Sequence, residues 1–337
     1  MRIHQYLYTV ADPTREDQSR LLADLDEQVK LARESGFAGV WMPEHHAARN
    51  AFPPPFQLLS FFAGRYPGLT LGTHIALAPF YHPLHLAEAI ATLDWLNGGH
   101  TVFGFGSGFR RAEFNAFGVE FERRFEYSKR ILLEVDKLLR GERATFKIGP
   151  WTGEEASLSL RPVQDPRPPM LWAATLAPGV NTALVCADGL MPNMMSGMLA
   201  QLRLLDDFDA RRGTNAPVRP VTAEIVIAKT RGEAEKRAAV RLGAEYSSFK
   251  HWKSLVPNVA EFADSPDSNV DLVRDQAIIG TADDVYETAL AMRERGVTDF
   301  ILRLQQAEAT QEEVLDAIRK VGSQVIARLG ERDKVGQ

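Results

Sequence analysis

The sequence predicts an α/β fold, a (β/α)8 TIM barrel with insertions, and three observations predict it. Short β-rich runs alternate with amphipathic helical patterns along the chain, which calls for a parallel sheet with crossover helices. These runs number eight. The 337 residues suit one closed barrel with additions, since the minimal fold takes about 250. An open doubly wound sheet also fits the alternation, and the strand number favours closure. We therefore read residues 1–337 as a single domain with insertions near 141–169 and 247–277.

Each element follows from local pattern. Ile3–Thr9 is the first strand. Leu21, Leu25, Val29 and Ala32 then fall at helical spacing, and Gly36 ends that helix. Ala38–Met42 and Leu69–Leu77 are the second and third strands. Pro83 fits the first turn of a helix that puts Leu86, Ile90, Leu93 and Leu96 on one face. Thr101–Phe105 is the fourth strand, followed by a helix from about Arg123 to Leu139. Met170–Ala174, Gly189–Pro192 and Val221–Ala228 are the next three strands. Thr281–Asp284 and Thr310–Glu313 have the spacing of capping boxes, and Asp299–Leu304 between those helices is the last strand. The final helix carries Val314, Ile318, Val321 and Val325. Residues 141–169, rich in glycine and proline, read as an irregular insertion. Residues 247–277 read as a second excursion and a candidate lid over the barrel mouth.

Composition narrows the function. Lys plus Arg is 39 and Asp plus Glu is 44, a net charge of −5. A mildly acidic chain is poorly suited to nucleic acid or an anionic membrane. Its one cysteine, Cys186, excludes an internal disulfide and a four-cysteine zinc site. No apolar run approaches the ~18 residues of a membrane span, and the N-terminal residues lack a signal-peptide pattern. A soluble cytoplasmic protein is the expectation.

Barrel chemistry lies at the C-terminal ends of the strands. After the second strand comes Pro43-Glu44-His45-His46. Histidine transfers protons near neutral pH, so a catalytic role is one reading. The other has Glu44 orienting one ring while the second packs. Adjacent rings on extended backbone point apart, and Arg49 and Asn50 stand where a zinc-binding HExxH would need its second His. No metal site is expected. For His74, His82 and His85 packed or solvated roles are the expectation. Gly104, Gly106 and Gly108 after the fourth strand let backbone approach a ring or phosphate. Phe109 breaks the dinucleotide fingerprint that would start at Gly104. Thr175 stands where a helix begins and an anion can bind.

Residues 71–109 carry Gly72-Thr73, His82-Pro83, Ala87-Glu88, Leu93-Asp94-Trp95-Leu96-Asn97-Gly98-Gly99-His100 and the glycine-rich strand end, in that order. This run, the Glu44-His45-His46 strand end and the tail from Ile278 to Leu304 resemble the bacterial luciferase-like, flavin-dependent monooxygenases, a (β/α)8 family. The resemblance spans nearly the whole chain. It implies reduced FMN at the barrel mouth, reaction with O₂ to a flavin C(4a)-hydroperoxide, and oxygen transfer to a small, apolar organic substrate. It implies that His45 assists catalysis with Glu44 in support, and that His74-Ile75 is a cis peptide against the flavin ring. It implies cofactor contacts from Gly106, Ser107, Gly108, Ala174, Thr175 and Asn193. It also implies a separate NAD(P)H:flavin reductase and a homodimer. Two departures stand out. Ser107 replaces the luciferases' phosphate-binding Arg, which leaves Arg110, Arg111 and Arg124 as nearby candidates for the counter-charge. Ala174-Thr175 replaces Glu-Ser, a change that backbone N–H contacts survive. The alternatives are a deazaflavin-dependent hydride-transfer enzyme and a non-catalytic flavin-binding protein. Candidates for an apolar pocket are Phe80, Tyr81, Trp172, Met191, Met194, Met195 and Trp252, half of them expected to be core.

Overall fold

The computed structural model describes residues 1–9, 19–47, 54–248, 276–306 and 308–335. In chain order the strands are β1 (Arg2–Tyr6), β2 (Gly39–Met42), β3 (Thr70–Leu77), β4 (Thr101–Gly106), β5 (Ala144–Ile148), β6 (Trp151–Ala156), β7 (Met170–Ala174), β8 (Gly189–Pro192), β9 (Pro220–Ile227), β10 (Ala277–Gly280) and β11 (Asp299–Arg303). The helices are α1 (Ser19–Glu34), α2 (Pro55–Arg65), α3 (Pro83–Leu96), α4 (Arg111–Phe117), α5 (Arg124–Leu139), α6 (Ala177–Cys186), α7 (Met198–Arg212), α8 (Arg231–Ser248), α9 (Ala282–Glu294), α10 (Gln311–Val321) and α11 (Ala327–Val335). No helix among the described residues is long and apolar enough to cross a membrane.

Parallel strands pair in the order β10-β9-β11-β1-β2-β3-β4-β7-β8. The end strand β8 lies against β9 and brings the sheet round on itself. Eight strands thus ring the core, with β10 added along the second half of β9. Among the described residues no ladder joins β8 to β9. Gln201 of α7 bonds the strand there: its amide Nε2 donates to Ser196 O and Thr222 O, both at 2.8 Å, and its Oε1 accepts from Thr222 N–H at 2.9 Å. One buried side chain supplies what a neighbouring strand would otherwise give Thr222.

Period-two alternation sorts the side chains. Ile3, Val40, Leu71, Phe103, Phe105, Trp172, Val221, Ala223, Phe300 and Leu302 join the outer core under the helices. Tyr6, Trp41, Val102, Leu171, Met191, Val218 and Ile301 form a separate inner cluster. The floor is polar: His4 Nε2 and Asp299 Oδ1 lie 2.7 Å apart, with Arg2 on the same carboxylate at 2.7 Å.

The eight expected strands are present within one to three residues at their ends. Both capping boxes form, with Thr281 N–H on Asp284 at 2.8 Å and Thr310 N–H on Glu313 at 2.9 Å. Val314, Ile318, Val321 and Val325 are buried as expected, although the helix passes through a π turn at Gly322–Ile326. The 141–169 insertion is more regular than expected: β5 and β6 form an antiparallel hairpin. Its next stretch is pinned by buried Asp94, which accepts from Val163 N–H and Gln164 N–H at 2.8 and 2.9 Å. Of the candidate lid at 247–277, α8 ends at Ser248 and β10 begins at Ala277, while residues 249–275 lie outside the described residues.

Candidate active site

The turn after β2 delivers Glu44, His45 and His46 to the barrel mouth, and short helix α4 delivers Glu113 beside them. Glu44 is buried. Its Oε2 accepts from Leu77 N–H at 2.5 Å, and its Oε1 from His46 Nε2 at 2.8 Å and from the Tyr81 hydroxyl. Burial, and then the Glu44 charge, push the Tyr81 phenol well above its ordinary range. Glu113 is also fully buried. Its Oε1 lies 3.0 Å from His45 Nδ1 and accepts from His46 N–H at 2.9 Å. Each imidazole therefore has its own carboxylate. The expectation that Glu44 supports His45 is corrected in its route: Glu44 bonds His46, Tyr81 and Leu77 in the same turn, and it is Glu113 that holds the His45 ring. His46 packs edge-on to Phe80 and Phe117, and His45 edge-on to Phe109 at 5.7 Å.

Strand β3 breaks register between Thr73 and Ala76, and the His74–Ile75 peptide is cis. His74 points inward and meets Thr222 Oγ1 at 2.8 Å. Burial lowers its pKa to about 4, so it is neutral at pH 7. Ile75 lies across the inner faces of Gly104 and Gly106. A Cβ on Gly106 would stand 2.1 Å from Ile75 Cδ1, and one on Gly108, at φ +70°, 3.2 Å from Phe114. These glycines make room for protein neighbours rather than standing open to a ligand.

At the next strand ends, Ser107 Oγ is buried with no hydrogen-bond partner among the described residues. Phe105 pairs with Trp172, and extending that register sets Ser107 beside Ala174. Asn193 N–H donates to Ala174 O at 3.2 Å, and Asn193 Nδ2 to Thr175 Oγ1 at 3.4 Å. Helix α6 starts just beyond, with Leu176 as an N-cap that offers its amides no side-chain acceptor. Ser107, Ala174, Thr175 and Asn193 thus surround one helix start. Arg111 is committed to Glu122 at 2.7 Å, and Arg124 stacks on Phe121 at 4.0 Å. Arg110 approaches Glu113 to 3.8 Å.

His82 caps α3, its Nδ1 accepting from Leu84 N–H at 3.2 Å. Of the apolar pocket candidates, Met191 and Met194 belong to the inner cluster. Trp172 and Phe80 are outer core and Tyr81 packs against it, while Met195 N–H bonds Asn193 at 2.9 Å. Trp252 lies outside the described residues. Glu113 was missed from sequence because α4 was not expected; its signal is a lone acid one turn beyond a glycine-rich strand end. Glu224 and Arg303, which pair on the inner wall, read as ordinary strand residues.

Among curated relatives, the chain is 32% identical over 156 residues to the uncharacterized protein y4vJ of Sinorhizobium fredii, covering 44% of this chain and 42% of that protein. It is 25% identical over 268 residues to limonene 1,2-monooxygenase of Rhodococcus erythropolis, covering 76% and 67%. Two solved structures share the fold. The oxygenating constituent of 3,6-diketocamphane monooxygenase of Pseudomonas putida, in complex with FMN, superposes with TM-score 0.74 at 17% identity over 96% of this chain and 98% of that one. An F420-dependent secondary alcohol dehydrogenase does so with TM-score 0.74 at 16% identity over 97% and 98%. The family model for luciferase-like monooxygenases matches residues 1–299, and with the barrel and strand-end residues described above, the chain belongs to that family of oxidoreductases.

Proposed function

We propose that the protein is an FMN-dependent monooxygenase that uses reduced FMN and O₂ to oxygenate a small, largely apolar organic substrate. The observation that carries the reading is the pairing of His45 with buried Glu113 at the mouth of a barrel whose next strand ends carry a Ser107 hydroxyl without a partner among the described residues and a helix start with no side-chain cap. The residues fit the cofactor. Ser107 Oγ, Thr175 and the Ala177 N–H at the start of α6 would hold its phosphate, since a helix start favours an anion. Ile75 and the inner methionines would border its ring. Bound reduced FMN supplies the electrons that activate O₂. Glu113 fixes the His45 ring through Nδ1, so that Nε2 is the atom that gives or takes a proton. Glu44 and Tyr81 hold the turn that presents His45. We further propose that a separate reductase supplies reduced FMN and that the enzyme is a homodimer.

One observation favours a second reading, deazaflavin-dependent hydride transfer: Ser107 offers a phosphate no positive charge. Anaerobic titration with reduced FMN and with reduced deazaflavin, followed by O₂, separates them. Tight binding of reduced FMN and product formation on mixing with O₂ support the oxygenase. Preference for the deazaflavin supports hydride transfer, and binding without turnover of a panel of small organic substrates supports a flavin-binding protein.

A further inference from the structure

Strands β3 and β9 stand four places apart in the ring of eight, so they face each other across its lumen. One side chain spans that gap. His74 of β3 reaches Thr222 of β9, with Nε2 2.8 Å from Oγ1. Both residues are deep in the barrel, His74 8% exposed and Thr222 1%. The far end of the span is fixed. Gln201 holds the backbone carbonyl and N–H of Thr222 at 2.8 and 2.9 Å, so the hydroxyl keeps its height on the strand. The ring itself is packed, meeting Tyr6 edge-on at 5.4 Å. Toward the floor lie apolar side chains of the inner cluster, among them Val218, ahead of β9, and Val102, the register partner of Gly72. Toward the mouth, two residues past Thr222 on the same face of β9, Glu224 pairs with Arg303 at 2.5 Å. The imidazole therefore lies as a bar between a filled lower lumen and the mouth. Burial lowers its pKa to about 4, so an apolar group can rest on it at pH 7 without stranding a charge.

We propose that His74 sets the depth of the substrate pocket: its imidazole, tied to Thr222, bars the lumen and stops the apolar end of the substrate at that level. The proposal rests on the reading of the barrel mouth as the substrate site. The bar resists displacement, because swinging it aside leaves a buried ring nitrogen and a buried hydroxyl without their bond. Each methylene that enters the pocket above the bar gains about fourfold in affinity. One that would have to pass the bar gains nothing. Cutting the ring back to a methyl group frees room for about two methylenes, because close-packed neighbours fill the space only in part. His74 is then a specificity residue, and substrate length is what it reads.

The test uses the full chain and a series of straight-chain methyl ketones from butanone to undecanone, each titrated by calorimetry. Wild-type affinity should rise with each added carbon and then level where the tail meets His74. In His74→Ala the rise should run on for about two carbons more. Ketones past the wild-type limit should then bind roughly 10- to 20-fold tighter than to wild type, while shorter ones bind alike. His74→Phe fills the lumen without the bond to Thr222 and should keep the wild-type limit. A circular dichroism melt identifies any variant that does not fold, and His74→Ser is the second small variant. Should neither small variant fold, His74→Trp is decisive, since a larger ring should shorten the limit. A folded small variant that levels at the wild-type carbon overturns the proposal. So does a gain shared by all lengths, a limit in His74→Phe as long as that of His74→Ala, an unshortened limit in folded His74→Trp, or wild type with no dependence on length. Titration of wild type with reduced FMN tests the flavin reading separately, because the length limit is read on the protein without cofactor.

Discussion

His45 and Glu113 form the pair on which the proposed chemistry depends. Replacing His45 with Ala should lower turnover by about 10²–10⁴, the usual range for an acid–base group, with FMN affinity nearly unchanged. Steady-state kinetics and a flavin titration check both parts. Glu113 acts through His45, so Glu113→Gln should lower kcat by about 10–10² while KM and FMN affinity hold. Glu113→Asp should recover part of kcat, and a parallel fall in flavin affinity would mark a merely structural role. The Glu44-His45-His46 run was legible in sequence because it follows a compact apolar strand. Which carboxylate serves which ring was not. Glu113 lies 68 residues away, and only folding brings it to His45.

At the scale of elements, the weak point of the ring is the seam between β8 and β9. Substituting Gln201 by Leu keeps the volume and strands both Thr222 backbone groups. At ~1–3 kcal/mol for each buried group left unsatisfied, Gln201→Leu should lose roughly 2–5 kcal/mol, read from urea unfolding. Gly39 tests the tight β2–β3 pairing. A Cβ there would stand 2.0 Å from Thr70 O, a backbone atom that cannot move aside. Gly39→Ala should therefore cost roughly 3 kcal/mol or more. Strand and helix positions were legible because burial on one or both faces imposes a period on the sequence. The β5–β6 hairpin was hidden among glycines and prolines that also mark loops. The four residues of β10 were too few to show a period.

For the whole molecule, the barrel interior predicts acid sensitivity. His74, with a pKa of about 6.5 when unfolded, has a folded-state pKa lowered to about 4 by burial. Below the unfolded value the unfolded chain takes up the proton first. Stability is therefore full above about pH 7 and lost as pH falls toward 4. By pH 4.5 the loss from this group should be about 2–3 kcal/mol. Asp299 on the floor is held well below the ordinary carboxylate range by His4 and Arg2, against the penalty of burial. Its contribution is lost at still lower pH. Urea midpoints at pH 7 and 4.5 should fall less for His74→Gln than for wild type. Assembly is read by sedimentation, where a homodimer has twice the mass of one chain.

The sequence by itself determined the eight-strand alternation, the two helix caps, the mouth of the barrel as the place for chemistry and the family resemblance. These depend on local spacing, which the linear order of residues records. Only the tertiary structure decided that Glu113 and not Glu44 holds His45, that Gln201 bridges the seam, and that Glu224 and Arg303 pair on the inner wall. Each of these joins residues distant along the chain, and folding of the sheet into a ring is what brings them together.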